Sequence, residues 1–394
     1  MKKNHVILMI AAVSLLCSSV QVQASSIKPA LETEMEGASS GLSEKWSDYQ
    51  IQIDGEVYQF PMMYSDFTAY GWSTEDADGI ELEPNQYDML YFSKDDVTCR
   101  AYVINLAKNN EAAADCIIGG IKIDKFDWDT ENGEVVLPGG IKKGESDLDS
   151  IKEAYGTPSD TYEGDLYTKL KYETDSYCYV EMSVYNESGV LEDIDLRNFV
   201  EPEGFDAGEI SEEVPEAVAS YEKPDGLADS LGEYQISLDG EAYTLPVPVS
   251  TLIADGWELD ESQSDGEIVA GYFGWVTLRK GGQEIREIAV NPESYATIPE
   301  NCWIEELAVG GFDLEAEGGL PGGIRTGMTE EELLEVLDGA GISYEVDDES
   351  DSFKYYTYNV KEYDQYCEVT VYTDEDGLFE PSTVIEVECS NAFQ

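Results

Sequence analysis

The chain repeats itself, and that limits its fold more than any other feature. Tyr49-Gln50-Ile51-Gln52-Ile53-Asp54-Gly55-Glu56-Val57-Tyr58 returns as Tyr234-Gln235-Ile236-Ser237-Leu238-Asp239-Gly240-Glu241-Ala242-Tyr243, an offset of 185 residues. At the same offset Pro61 matches Pro246, Ser65 matches Ser250, and Gly71-Trp72 matches Gly256-Trp257. Asn105 and Cys116 then match Asn291 and Cys302, Leu137-Pro138-Gly139-Gly140-Ile141 matches Leu320-Pro321-Gly322-Gly323-Ile324, and Gly144 matches Gly327. So many matches in one order point to a unit of roughly 150 residues copied in tandem. We therefore read residues 45–199 as repeat 1 and 230–390 as repeat 2. Between them 200–229 is acidic, carries Pro202, Pro215 and Pro224, and reads as a linker. Residues 25–44 read as a mobile leader.

Within a repeat the polar and apolar residues alternate at strand period. Tyr49–Ile53, Asp54-Gly55 and Val57–Phe60 make a hairpin signal, because Asp-Gly accepts the positive φ angles of a tight turn. Ser65 and Ser250 are expected to cap short helices that Gly71 and Gly256 end. Strand-like runs follow at Cys99–Asn105, Cys116–Ile123, Ile285–Asn291 and Cys302–Val309. After the Leu-Pro-Gly-Gly-Ile turn comes a helix. Thr329 and Glu332 form a capping box ahead of Leu333, Leu334, Val336 and Leu337. Ser146, Leu148, Ile151 and Tyr155 take the same parts in repeat 1, where Gly156-Thr157-Pro158 stops the helix. Strands at 167–172, 178–185, 190–196, 354–359, 367–372 and 384–388 complete the plan. The fold class is α+β: two tandem β-rich repeats, each an antiparallel β module followed by a helix-plus-antiparallel-sheet module.

The N-terminus reads as an export signal removed after residue 24. Lys2 and Lys3 precede an apolar run from Val6 to Cys17, and Val22-Gln23-Ala24 offers small residues at −3 and −1. Lipid anchoring through Cys17 is the alternative, disfavoured by Leu16 before it. The expected location is outside a bacterial cell. No later run suits a membrane helix.

Composition then excludes partners and chemistries. The 394 residues hold 84 Asp plus Glu against 22 Lys plus Arg, a formal net charge of −62, which repels nucleic acid and anionic membrane surfaces. An apolar content of 42% is enough for packed cores. The single histidine, His5, lies in the signal, so Ser-His-Asp and Cys-His catalysis are excluded from the processed chain. Ser25-x-x-Lys28 is a chance match in the leader, and no phosphate-binding glycine loop exists. A glycoside hydrolase needs only two carboxylates, and with 84 acids no pair stands out. We expect no enzyme and no cofactor. Asp76-Ala77-Asp78-Gly79 and Asp374-Glu375-Asp376-Gly377 resemble pieces of calcium loops but lack the full ligand spacing, and read as hairpin turns; calcium is a weak candidate.

Six cysteines follow the signal, and six allow 15 pairings. Repeat logic favours Cys116–Cys178 and Cys302–Cys367, leaving Cys99 and Cys389 to pair with each other or stay free. Hairpin geometry offers the rival scheme Cys367–Cys389 with Cys99–Cys116. No Cys-x-x-Cys motif or histidine supports a zinc site. The 26 tyrosines serve either as half-buried sheet residues or as binding contacts. Trp72 and Trp257 read as core anchors.

The run Gly144-Glu145-Ser146 … Glu153-Ala154-Tyr155-Gly156-Thr157-Pro158 … Leu170-Lys171-Tyr172 … Val180–Val190 is similar to the SmpA/OmlA-like module. That fold is shared by a small outer-membrane assembly lipoprotein and by the β-lactamase inhibitory proteins. Repeat 2 keeps Gly327-Met328-Thr329 and the hairpin but lacks the Gly-x-Pro stop. The resemblance implies a helical layer on an antiparallel sheet that acts by touching other proteins, without catalytic residues. The remainder looks like secreted proteins of Gram-positive bacteria, a likeness that carries no function. The expected function is a secreted, non-catalytic module that binds an extracellular protein of host or bacterial origin, immunoglobulin being one class of ligand. The alternatives are an inhibitor of a secreted hydrolase, a carbohydrate-active enzyme using acids, and an envelope component with no discrete ligand.

Overall fold

The structure is a computed structural model that describes residues 41–95, 97–126, 133–311, 316–350, 352–362, 364–374 and 379–393. The expected signal, Cys17, residues 25–40 and Glu375–Gly377 lie outside them. The chain is mostly antiparallel β-sheet with short helices, and it forms two compact units divided between Ala207 and Gly208.

In the first unit β1 (Gln50–Ile53) and β2 (Glu56–Gln59) form the expected hairpin, with Asp54 at φ 50° and Gly55 at φ 85°. The helix α1 spans Tyr64–Ala69. Its N-cap is Met63 rather than Ser65, which falls inside the first turn and gives no cap hydrogen bond. Strands β3 (Tyr87–Lys94), β4 (Val97–Ile104) and β5 (Ile117–Ile123) follow, then β6 (Val135–Leu137), which returns to pair with β1. The helix α2 covers Leu148–Tyr155, and Asp147, not Ser146, caps it through the Ser150 N–H at 2.9 Å. Ser146 Oγ instead accepts the Lys142 N–H. Strands β7 (Asp160–Glu163), β8 (Tyr167–Asp175), β9 (Cys178–Tyr185) and β10 (Leu191–Asn198) complete the unit.

The two parts expected as successive modules are fused. Strand β10 pairs with β5, so one sheet runs β7-β8-β9-β10-β5-β4-β3. One face of it packs on the β1–β2 hairpin and the helices in a single core. Trp72 lies in that core, 2% exposed, stacked on Phe67 at 5.5 Å and donating its indole N–H to the Tyr58 hydroxyl. Burial at this size stabilises by about 3 kcal/mol.

The second unit begins well before residue 230. The stretch read as a linker is tied down from Ser211 onwards: the Ser211 N–H donates to Ala296 O, and Asn301 Nδ2 donates to Glu213 O. Val218 is buried and Lys223 Nζ pairs with Asp255 at 2.6 Å. The prolines there shape an ordered strap. Strands β11 (Gln235–Leu238) and β12 (Glu241–Thr244) form a hairpin, and α3 (Val249–Ala254) has Pro248 rather than Ser250 at its N-cap. Strands β13 (Phe273–Lys280) and β14 (Gln283–Val290) form a long hairpin. The run expected at Cys302–Val309 is interrupted at Glu305, giving the short strand Trp303–Ile304 and then β15 (Glu306–Gly310). There the Glu305 main chain and side chain accept the Asn391 and Phe393 N–H groups. The break yields two five-stranded sheets. Helix α4 (Glu330–Ala340) carries the expected Thr329/Glu332 capping box and buries Leu333 and Leu337. Strand β16 (Gly318–Leu320) returns to pair with β11, and one sheet runs, in order, β15, β20 (Thr383–Asn391), β19 (Gln365–Tyr372), β18 (Phe353–Glu362) and β17 (Tyr344–Asp347). Trp257 is a core residue, 1% exposed.

Candidate binding surfaces

Strand alternation decides which side chains the first unit's sheet leaves outside. The core takes Val180, Met182, Ile194, Leu196, Ile121, Ala101 and Val103, so the intervening residues face away from it. Tyr102, Gly120, Arg197 and Tyr179 thus form one cross-strand row. Arg197 runs along that row. Its guanidinium lies 4.1 Å from the Tyr102 ring centroid, 5.1 Å from Tyr179 and 5.8 Å from Tyr87. Gly120 permits the close approach of β5 to β10 beneath this row, since a Cβ there would sit 2.1 Å from Leu196 O. Arg197 Nη2 donates to the Tyr102 hydroxyl at 2.8 Å, and that hydroxyl donates to both oxygens of Asp195. Burial pushes the Asp195 carboxyl above its usual range, and Arg197 and Lys122 oppose the rise.

The pattern continues along the sheet. Lys169 pairs with Glu181 and Lys171 with Glu173, while Lys171 also lies 4.7 Å from the Tyr179 ring. Lys125 Nζ lies 4.4 Å from the Tyr185 ring, and the Tyr185 hydroxyl donates to Asp193. Burial, with Asp193 beside it, pushes Tyr185 up to about 12. Six of the chain's 22 basic residues (Arg100, Lys122, Lys125, Lys169, Lys171 and Arg197) gather on or beside this face. Between them lies a cleft of about 200 Å³ whose lining includes Lys122, Tyr167, Glu181, Asp193 and Asp195. That is below the roughly 300 Å³ at which small-molecule sites begin. Asp193 accepts the Lys125 N–H and the Tyr185 hydroxyl, Asp195 accepts the Tyr102 hydroxyl and Asp124 pairs with Arg100, so all three cleft aspartates are engaged by neighbours.

The second unit carries a different outer patch. On β13 and β14, Trp275 stands opposite Ile288, with Phe273 two residues along the same face. They are 45%, 40% and 57% exposed. Arg286 stacks over the Trp275 ring at 5.4 Å. A tryptophan flanked by apolar side chains and arginine has the make-up of an interface hot spot.

Farther along, β14, β15, β19 and β20 assemble acids. The Tyr366 hydroxyl donates to Glu388 and, at 3.2 Å, to Glu306. Burial pushes Glu388 up to about 7, with Glu306, Glu368 and Glu386 adding to the rise. Burial likewise pushes Glu287 up to about 8, with Glu306 and Glu388 as the next causes. Among the described residues no group of three or more acids, cysteines or histidines has metal-holding geometry. Asp76–Gly79 forms a turn in which the Ile80 N–H donates to Ala77 O and Asp76 accepts the Tyr91 N–H.

The six described cysteines are all buried. The sequence-matched partners are not opposed: Cys178 faces Asn198 across β9–β10, and Cys302 precedes the strand that joins β14, away from the sheet of Cys367. Cys99 and Cys116 stand at opposite ends of the β4–β5 pairing, about 20 Å apart along the strands. Cys367 instead faces Cys389 directly. Register across a long hairpin, not position in the repeat, decides this.

Sequence reading missed both outer faces. Their signal was there: Tyr167-x-Lys169-x-Lys171, Tyr179-x-Glu181-x-Ser183-x-Tyr185 and Asp193-x-Asp195-x-Arg197 are period-two polar ladders. Which ladders lie side by side needs the sheet order. No protein-family model and no curated protein matches the chain.

Proposed function

We propose that this chain is an exported, non-catalytic protein-binding molecule whose two units arose as tandem copies and present their outer sheet faces to an extracellular protein. The observation that carries the reading is the exposed Trp275–Ile288–Phe273 patch with Arg286 stacked on it, since isolated soluble domains rarely leave such residues contiguous in water. The tyrosine and cation lattice on the first unit supports it through its half-buried members Tyr167, Lys169, Lys171, Tyr185 and Arg197, residue types favoured at interfaces, which lie around the buried Tyr102 and Asp195. The tandem-copy reading draws support from matched positions with matched geometry. Asp54 and Asp239 have φ 50° and 52°, and Gly139 and Gly322 have φ 68° and 75°. Asn105 and Asn291 each donate to main-chain carbonyls of the neighbouring loop. The likeness to the SmpA/OmlA-like module fits the same role.

The test is capture from culture supernatant and mucosal fluid by the full chain, with Trp275→Ala and Arg286→Ala measured against the captured protein. A loss of tenfold or more from Trp275→Ala, with the melting temperature unchanged, supports the reading. Turnover of a glycan abolished by Asp193→Asn would replace it with the hydrolase alternative.

A further inference from the structure

Antiparallel pairing places Leu307, Cys389, Cys367 and Tyr358 in one row across β15, β20, β19 and β18, all on the buried face. Directly opposed residues of an antiparallel pair have Cα atoms about 4.5–5.5 Å apart, within the range a disulfide spans. The two Sγ atoms are 3.7 Å apart, so closing the bond takes side-chain rotation and no strand movement. The other four described cysteines have different neighbours. The thiols of Cys116 and Cys302 donate to Ala112 O and Ile298 O, Cys178 faces Asn198, and Cys99 faces Phe92 on β3.

We propose that Cys367 and Cys389 form a cross-strand disulfide under oxidising conditions, while Cys99, Cys116, Cys178 and Cys302 stay as thiols. The bond fixes the register of β19 against β20, the two strands at the middle of the sheet on which α4 packs its core residues. It forms by exchange with a small-molecule or protein disulfide. One cysteine thiolate attacks a sulfur of the oxidant and expels one thiol. The second cysteine thiolate then attacks the mixed disulfide and expels the other. The two cysteines lose two electrons and two protons, and the oxidant's S–S bond becomes two thiols. The Cys367 contact and burial push the Cys389 thiol up, so the folded chain oxidises slowly and the bond closes mainly during folding.

The experiment refolds the full-length chain in mixed oxidised and reduced glutathione, alkylates remaining thiols, and maps peptides without reduction. The expected result is one linked pair, Cys367 with Cys389, and a fall in denatured-state thiols from seven to five. Reductant then lowers the melting temperature by about 5–10 °C. In Cys367→Ala/Cys389→Ala the reductant has no such effect. A peptide joining either cysteine to another, or complete alkylation of all cysteines after oxidative refolding, overturns the proposal without need of the variant.

Discussion

Replacing Glu388 by Gln isolates the cost of gathering carboxylates around Tyr366. In the folded chain Glu388 holds its proton up to about pH 7, against the ordinary 4.5, because it is buried and surrounded by Glu306, Glu368 and Glu386. The folded state therefore binds a proton that the unfolded chain has released between those values. The associated stability is fully present below about pH 4.5 and is lost as pH rises through about 7. The rise from 4.5 to about 7 corresponds to a loss of about 3 kcal/mol once the pH exceeds both values. Gln is neutral throughout and its carbonyl still accepts the Tyr366 hydroxyl, so the variant escapes that loss. At pH 8.5, Glu388→Gln is expected to melt about 6–12 °C above the wild type, and at pH 4 to melt within about 2 °C of it. Scanning calorimetry from pH 4 to 8.5 measures both. The exposed Glu261→Gln serves as the control for general relief of negative charge and is expected to shift the melting point by less than a quarter as much. Equal gains for the two variants, or a gain for Glu388→Gln that does not grow with pH, would refute the reasoning.

Other expectations follow from single contacts. Thr329→Ala removes the hydroxyl that accepts the Glu332 N–H at the start of α4, at a cost of about 1 kcal/mol in urea unfolding. Gly120→Ala brings a Cβ to 2.1 Å from Leu196 O, which forces β5 away from β10. It is expected to cost more than about 2 kcal/mol and to quench the Arg197–Tyr102 contact, visible as restored tyrosine fluorescence or an upfield-shifted resonance lost. Trp72→Ala opens a cavity beside Phe67 and Tyr58 and is expected to cost about 3–5 kcal/mol, read from the denaturant midpoint.

Local chemistry was legible wherever one residue and its neighbours settle the outcome. The Asp54-Gly55 and Asp239-Gly240 turns, the Thr329/Glu332 box, the Gly156 stop and the strand at 178–185 all follow from φ preferences, capping and period-two alternation. The capping serines failed for a reason local rules do not contain. Ser65 and Ser250 lie two positions past the N-cap because the chain leaves short strands at Met62–Met63 and Val247–Pro248 directly into helix. Prolines and acids in 200–229 mark a solvated path equally well when it is pinned, as Ser211 and Lys223 pin this one.

The sequence by itself determined a β-rich, strongly acidic chain with matched segments about 185 residues apart and with Trp72 and Trp257 in cores, since composition and self-similarity are properties of order alone. Only the tertiary structure decided that β10 lies beside β5, that Arg197 threads three tyrosine rings, that Trp275 stays in water, and that Cys367 meets Cys389. Each of those is a non-local pairing. A shift of one residue in register sends every side chain to the opposite face, so the alternation of a strand names its two faces without saying which neighbour either one meets.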